Sequence, residues 1–160
     1  MTGESTRNSA VAGAMLAMAC FALPASGTNT FSGSGNWQDA ARWVSGIPTN
    51  GDYAVINGTC TNSSPTASLA SLIVNSGRTL TFDGFSNSVV SAAVVTVYGT
   101  LTHTLNTATN SPWTPDKMVY IECSNLTVAL NGWIDLNDKG YAREQGPGRL
   151  TFSIPQRLRY

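Results

Sequence analysis

Four glycines set the frame of this chain. Gly58, Gly77, Gly99 and Gly132 stand 19, 22 and 33 residues apart, each in a short turn between two runs of alternating apolar and polar residues. Alternation with period 2 belongs to strands with one buried face, not to helices. Val95 and Val97 precede Gly99, and Leu101 and His103 follow it. Val128 and Leu130 precede Gly132, and Ile134 and Leu136 follow it, at identical offsets. At Gly77 the turn is one residue longer on each side, between Leu72 and Val74 and then Leu80 and Phe82. Gly58 follows Ala54 and Ile56 and precedes Cys60. The last spacing is stretched by residues 106–117 (NTATNSPWTPDK), where Pro112 and Pro115 mark an inserted loop.

A repeat of about 20 residues, built from short strands and turns of two to four residues, suits one coil of a β-solenoid. Each coil would lie about 4.8 Å above the last and pair with it along parallel ladders. Inward positions would then stack like on like, as in Ile56, Val74, Val97 and Leu130, with Thr, Ser and Asn turned outward. A β-sandwich is the alternative for short alternating strands. It has no reason to keep the same offsets around each glycine.

The register assigns single residues. His103, the only histidine, falls where Leu136 falls in the next coil, so it is expected to be a buried packing residue. Cys60 and Cys123 fall two or three ladder spacings apart, beyond the roughly 7 Å reach of a disulfide between Cα atoms. They are expected as free, inward thiols.

The amino terminus speaks to compartment. Met1–Asn8 is polar and carries Arg7; Ala10–Leu23 is an uncharged run rich in Ala, Met and Leu, followed by Pro24, Ala25, Ser26 and Gly27. This is the pattern of a cleaved secretory signal peptide over residues 1–27, with the cut near Ala25 to Gly27. The run is shorter than the roughly 20 apolar residues that span a bilayer. No other segment reads as a membrane span, so the mature chain is expected to be secreted or at the cell surface. Charged residues make up 11 % of the chain and the net charge is zero. Nothing there recommends nucleic acid or an anionic membrane as partner.

Residues 28–52 form a tryptophan-bearing region ahead of the coils of residues 53–148. Thr28–Gly35 reads as a small, flexible lead-in with one hydrophobic handle, Phe31. Asp39, followed by Ala40, Ala41 and Arg42, is placed to start a single helical turn. That turn would bring Trp37 and Trp43 onto one surface. Two roles are open to these indoles: plugging hydrophobic surface, or stacking on a sugar from an exposed position.

With those stretches in view, the chain resembles the amino-terminal part of secreted bacterial right-handed parallel β-helix proteins, of the autotransporter-adhesin and large surface-protein type. Such proteins open with a pattern similar to Asn36, Trp37, Asp39, Trp43, Gly46, Pro48, Gly51 and Asp52, leading into Val55 and Ile56. A later segment, Gly132, Ile134, Asp135, Gly140, Tyr141, Gly146, Pro147 and Gly148, resembles another of their recurring stretches. The resemblance implies a capped β-helix and export, not a chemistry. It also implies further glycine-rich coils after Gly148. The chain instead gives RLTFSIPQRLRY over residues 149–160, an atypical tail with three arginines. A truncated or frame-shifted piece of a longer protein is the expectation from that departure.

Catalytic and metal-binding patterns are missing. One His and the two separated Cys that follow the signal peptide do not make a zinc site, and there is no nucleophile elbow or phosphate loop. Residues 135–140 (DLNDKG) resemble a calcium loop only in part, with Lys139 at the fifth position and no acid at the twelfth. Asp135 and Asp138 as a glycosidase pair lack supporting His, Arg and Lys neighbours, and read as a solvated turn. The expected function is therefore an exported, non-enzymatic β-helix module, structural or adhesive, without cofactor or metal. Its partners would be glycans or other surface proteins. The alternatives are the non-catalytic amino-terminal part of a polysaccharide-degrading β-helix enzyme, and a small carbohydrate-binding β-sandwich. Indoles exposed in one groove, among Trp37, Trp43, Trp113 and Trp133, would favour the sugar readings; indoles buried at the amino-terminal end would favour the first.

Overall fold

The computed structural model of the chain describes residues 27–107 and 114–140. The expected inserted loop and signal peptide therefore lie partly outside the described residues, and Trp113, residues 141–148 of the expected coils and the tail of residues 149–160 lie wholly outside them. Among the described residues there are eight strands: β1 (Thr28–Asn36), β2 (Tyr53–Asn62), β3 (Ser68–Val74), β4 (Thr79–Phe82), β5 (Val90–Val97), β6 (Thr100–His103), β7 (Ile121–Val128) and β8 (Trp133–Ile134). Every pairing between them is parallel. An antiparallel sandwich is thereby excluded, and the fold is a parallel β-helix. The first half of β2 pairs with β3 and its second half with β4, so this one strand turns a corner and serves two sides of the coil.

Inward side chains stack in register through the coils. One column runs Phe31, Ile56, Val74, Val97, Val128, and another Gly35, Cys60, Leu80, Leu101, Ile134. Ile56, Val74, Val97, Leu80 and Leu101 are fully buried, each worth roughly 1.5–3 kcal/mol relative to exposure. A third column, Asn62, Phe82, His103, is mixed. His103 is buried on Phe82 as expected, its Nδ1 lying 2.6 Å from the Thr104 carbonyl oxygen. The Asn62 amide nitrogen donates to the Ser88 carbonyl at 2.8 Å, while its Oδ1 has no partner among the described residues.

One stack differs from the sequence reading. Val128, not Leu130, lies over Val97, and Leu130 is 91 % exposed. The reason is corner length. Two residues link Val97 to Thr100, but four link Val128 to Trp133, and Val74 to Thr79 likewise. The two longer corners share one geometry: the Arg78 N–H donates to the Asn75 carbonyl and the Gly132 N–H to the Ala129 carbonyl. The third residue has positive φ in both, +68° at Gly77 and +67° at Asn131, as a type II turn demands. Gly77 is thus the counterpart of Asn131, not of Gly132. Gly99 and Gly132 are glycine for a different reason. A Cβ on Gly99 would run into the carbonyl oxygens of Arg78 and Asn75, and one on Gly132 into that of Val97.

The lead-in is also more ordered than its composition suggests. Residues 28–36 pair with 53–61 along the whole of β1, making it the first rung of the helix. Its sequence is polar because only Asn29 and Phe31 in it are buried, the far side of the rung being closed by the segment that follows.

Candidate functional site

The amino-terminal end is built around the two tryptophans singled out in the sequence. Asp39 caps a 3₁₀ turn, Ala40–Arg42, by accepting from the Ala41 N–H at 3.1 Å, and pairs with Arg42 Nε at 3.3 Å. This turn reverses the chain, so that Trp43 bridges antiparallel to Phe31 and the Val44 N–H reaches the Thr30 carbonyl. Asn29, buried, fastens the returning strand from below. Its amide donates to the Gly46 carbonyl at 2.7 Å and accepts from the Ser45 N–H at 3.1 Å. Trp43 meets Phe31 and Trp37 edge to face, with ring centroids 5.3 and 4.8 Å apart. Trp37 is 0 % and Trp43 4 % exposed. The structure does bring the two indoles together, but neither presents a ring face on which a sugar could stack. They close the end of the core.

A second constellation brackets the inserted loop. Lys117 Nζ lies 2.6 Å from Asp83 Oδ1, and Thr104 Oγ1 donates to the same oxygen at 2.7 Å. The Lys117 and Thr104 hydrogen bonds hold the Asp83 carboxyl below the usual aspartate range, against a small opposing effect of burial. Asn106 Oδ1 accepts from the main-chain N–H of Asp116 and Lys117, and its amide donates to the Lys139 carbonyl. Thr107 donates to Asp116 from both main chain and hydroxyl. These side chains pair among themselves to pin the two ends of the loop. Sequence reading did not find this clasp, whose hydrogen-bonded partners are separated by up to 34 positions.

At the other end of the described coils, Trp133 is 64 % exposed. With Thr100, Ile134, Asp135, Leu136 and Asn137 it lines an open depression of about 560 Å³. Asp135 accepts from the Asn137 N–H at 3.0 Å, and the Lys139 N–H closes a turn onto Leu136 with Asp138 at φ +56°. The segment is a solvated turn, as expected. Among the described residues no group of three His, Cys, Asp or Glu is placed to hold a metal ion. Both described cysteines are free; Cys60 is buried, whereas Cys123, on the inward side of β7 as expected, is exposed. It stands in register over Ala92, in the last described coil.

The third surface is the outward face of β2, β4 and β6. Thr59, Thr79 and Thr100 are in register, as are Thr61, Thr81 and Thr102. The signal was present in the sequence as Thr-x-Thr around Cys60, Leu80 and Leu101, and only the register turns it into an array. No helix among the described residues is long and apolar enough to cross a membrane. Comparison with protein-family models, curated proteins and solved structures finds no match to this chain.

Proposed function

We propose that this chain is an exported β-helix module with a structural or adhesive role at the cell surface, and that it contacts glycans or other surface proteins from the outside of its coils. The observation that carries this reading is the division of the coils into an inward and an outward side. Apolar side chains form continuous inward columns, while Thr, Ser and Asn are repeated outward on a rigid frame. The ion pairs Asp39–Arg42 and Asp83–Lys117 are spent on the cap and the loop clasp. Within this reading the exposed Trp133, beside Asp135 and Asn137, is the residue suited to a sugar, since an indole offers an apolar face next to polar groups.

The test is retention of the purified chain on a glycan array and on whole cells, with Trp133→Ala alongside. Binding that falls in the variant supports the reading. A wild-type chain retained by neither surface overturns it. Export is checked separately by the mass of protein recovered outside cells, which should begin after Ala25 to Gly27.

A further inference from the structure

We propose that the threonine face of β2, β4 and β6 is an ice-binding surface. Six threonines stand on it in two ranks, Thr59, Thr79, Thr100 and Thr61, Thr81, Thr102, each rank in unbroken register. Cys60, Leu80 and Leu101, buried behind them, fix the rotation of each strand, so that every threonine points out. Neighbouring threonines are then about 4.8 Å apart across the coils and about 6.6 Å apart along a strand. β-Branching restricts χ1, which holds each hydroxyl and methyl in a narrow range of directions. Ser34 and Asn36 continue the two ranks into the first rung, opposite Thr59 and Thr61.

A second observation concerns what these hydroxyls do within the protein. Among the described residues, the one hydrogen bond they donate is a long one, from Thr102 to the His103 carbonyl at 3.5 Å. The hydroxyls are left for an outside partner. The ranks contain no charge; in sequence, β4 is flanked by Arg78 before Thr79 and by Asp83, tied to Lys117, after Phe82.

The chemistry of the face selects its ligand. A protein partner would need buried aromatic or arginine anchors, and the ranks have none. A soluble oligosaccharide would need an aromatic platform, which is missing until Trp133. A rigid, uncharged array that repeats in two directions fits a ligand with the same property. Solid water is such a ligand. Hydroxyls and waters held between the ranks would continue its hydrogen-bond net, while the methyls remove apolar surface from the liquid. This inference rests on the ladder register and not on the glycan reading of Trp133.

The experiment is partition of the purified full chain into a slowly growing ice front, together with inhibition of ice recrystallisation in frozen sucrose. Wild type should enter the ice and keep crystals small. Thr81→Tyr, in the middle of the array, should lose both activities, and Thr81→Ser, which keeps the hydroxyl and removes the methyl, should weaken them. Thr96→Tyr, outward on the neighbouring side of the coil, should retain them. Circular dichroism and melting of each variant establish that it is folded. Exclusion of the wild type from ice overturns the inference, as does equal loss in Thr96→Tyr. Binding to crystalline cellulose or chitin without entry into ice also overturns it and assigns the face to a polysaccharide. A chain that binds glycans but not ice leaves the adhesive reading intact.

Discussion

The indole N–H of Trp43 donates to the main-chain carbonyl oxygen of Trp37 at 2.8 Å, inside a contact in which the two rings meet at 66°. One side chain thereby satisfies the backbone of the other at the point where the core ends. Trp43→Phe keeps most of the apolar volume but leaves that buried carbonyl without its donor, so it should cost about 1–3 kcal/mol. Trp37→Ala opens a cavity under the cap and should cost about 3–5 kcal/mol. Urea unfolding of the two variants, followed by far-ultraviolet circular dichroism, gives both numbers. Equal loss in the two would mean that the hydrogen bond, not the packing, holds the cap.

The corner glycines divide into two kinds that mutagenesis can separate. Gly77 has positive φ and open space around a would-be Cβ, and Asn131 occupies the same turn position. Gly77→Asn should therefore cost less than about 1 kcal/mol, because asparagine tolerates the left-handed region. Gly99→Ala is the smaller chemical change but drives a methyl into two carbonyl oxygens of the preceding coil. It should cost about 1–3 kcal/mol. Thermal midpoints in the opposite order would reject the assignment.

The two described thiols should differ in reactivity. Burial pushes the Cys60 thiol up to about 12, whereas Cys123 lies at the surface. Since the thiolate is the nucleophile, iodoacetamide at mildly alkaline pH should label Cys123 in the native chain and spare Cys60 until denaturant is added. Peptide mass mapping reads the outcome. Early labelling of Cys60 would show that the second side of the coil opens.

The loop clasp should carry a pH signature. The folded Asp83 carboxyl is depressed by Lys117 and Thr104, while the unfolded chain titrates near the ordinary aspartate value of about 4. Its contribution is therefore present above that value and is lost as the pH falls through the depressed one. Asp83→Asn should lower stability at neutral pH by no more than about 1 kcal/mol, the pair being partly exposed. The gap to wild type should close in acid, below the depressed value. A gap that stays constant with pH would assign the effect to packing.

The sequence by itself determined the class of fold. Period-2 runs around Gly58, Gly77, Gly99 and Gly132 prescribe short strands with one buried face, and their recurrence prescribes coils. Local chemistry was equally legible where it is local: Asp39 starting the turn that brings Trp37 and Trp43 together, and His103 on an inward position.

Tertiary structure decided what depends on pairing between coils. Whether Leu130 or Val128 continues a column turns on two extra residues in one corner, and glycine spacing reports corner and strand lengths only as a sum. Cys123 shares the column of Ala92, yet its exposure depends on its place in the last described coil, which no local pattern encodes. Burial of Trp37 and Trp43 required the cap to fold back over β1, a contact held by Asn29 from the strand before it. The threonines of β2, β4 and β6 are scattered along the sequence and become a surface only when parallel ladders bring them to about 4.8 Å. Periodicity along a chain fixes which way a side chain points, and hydrogen-bonded register across chains fixes what stands beside it.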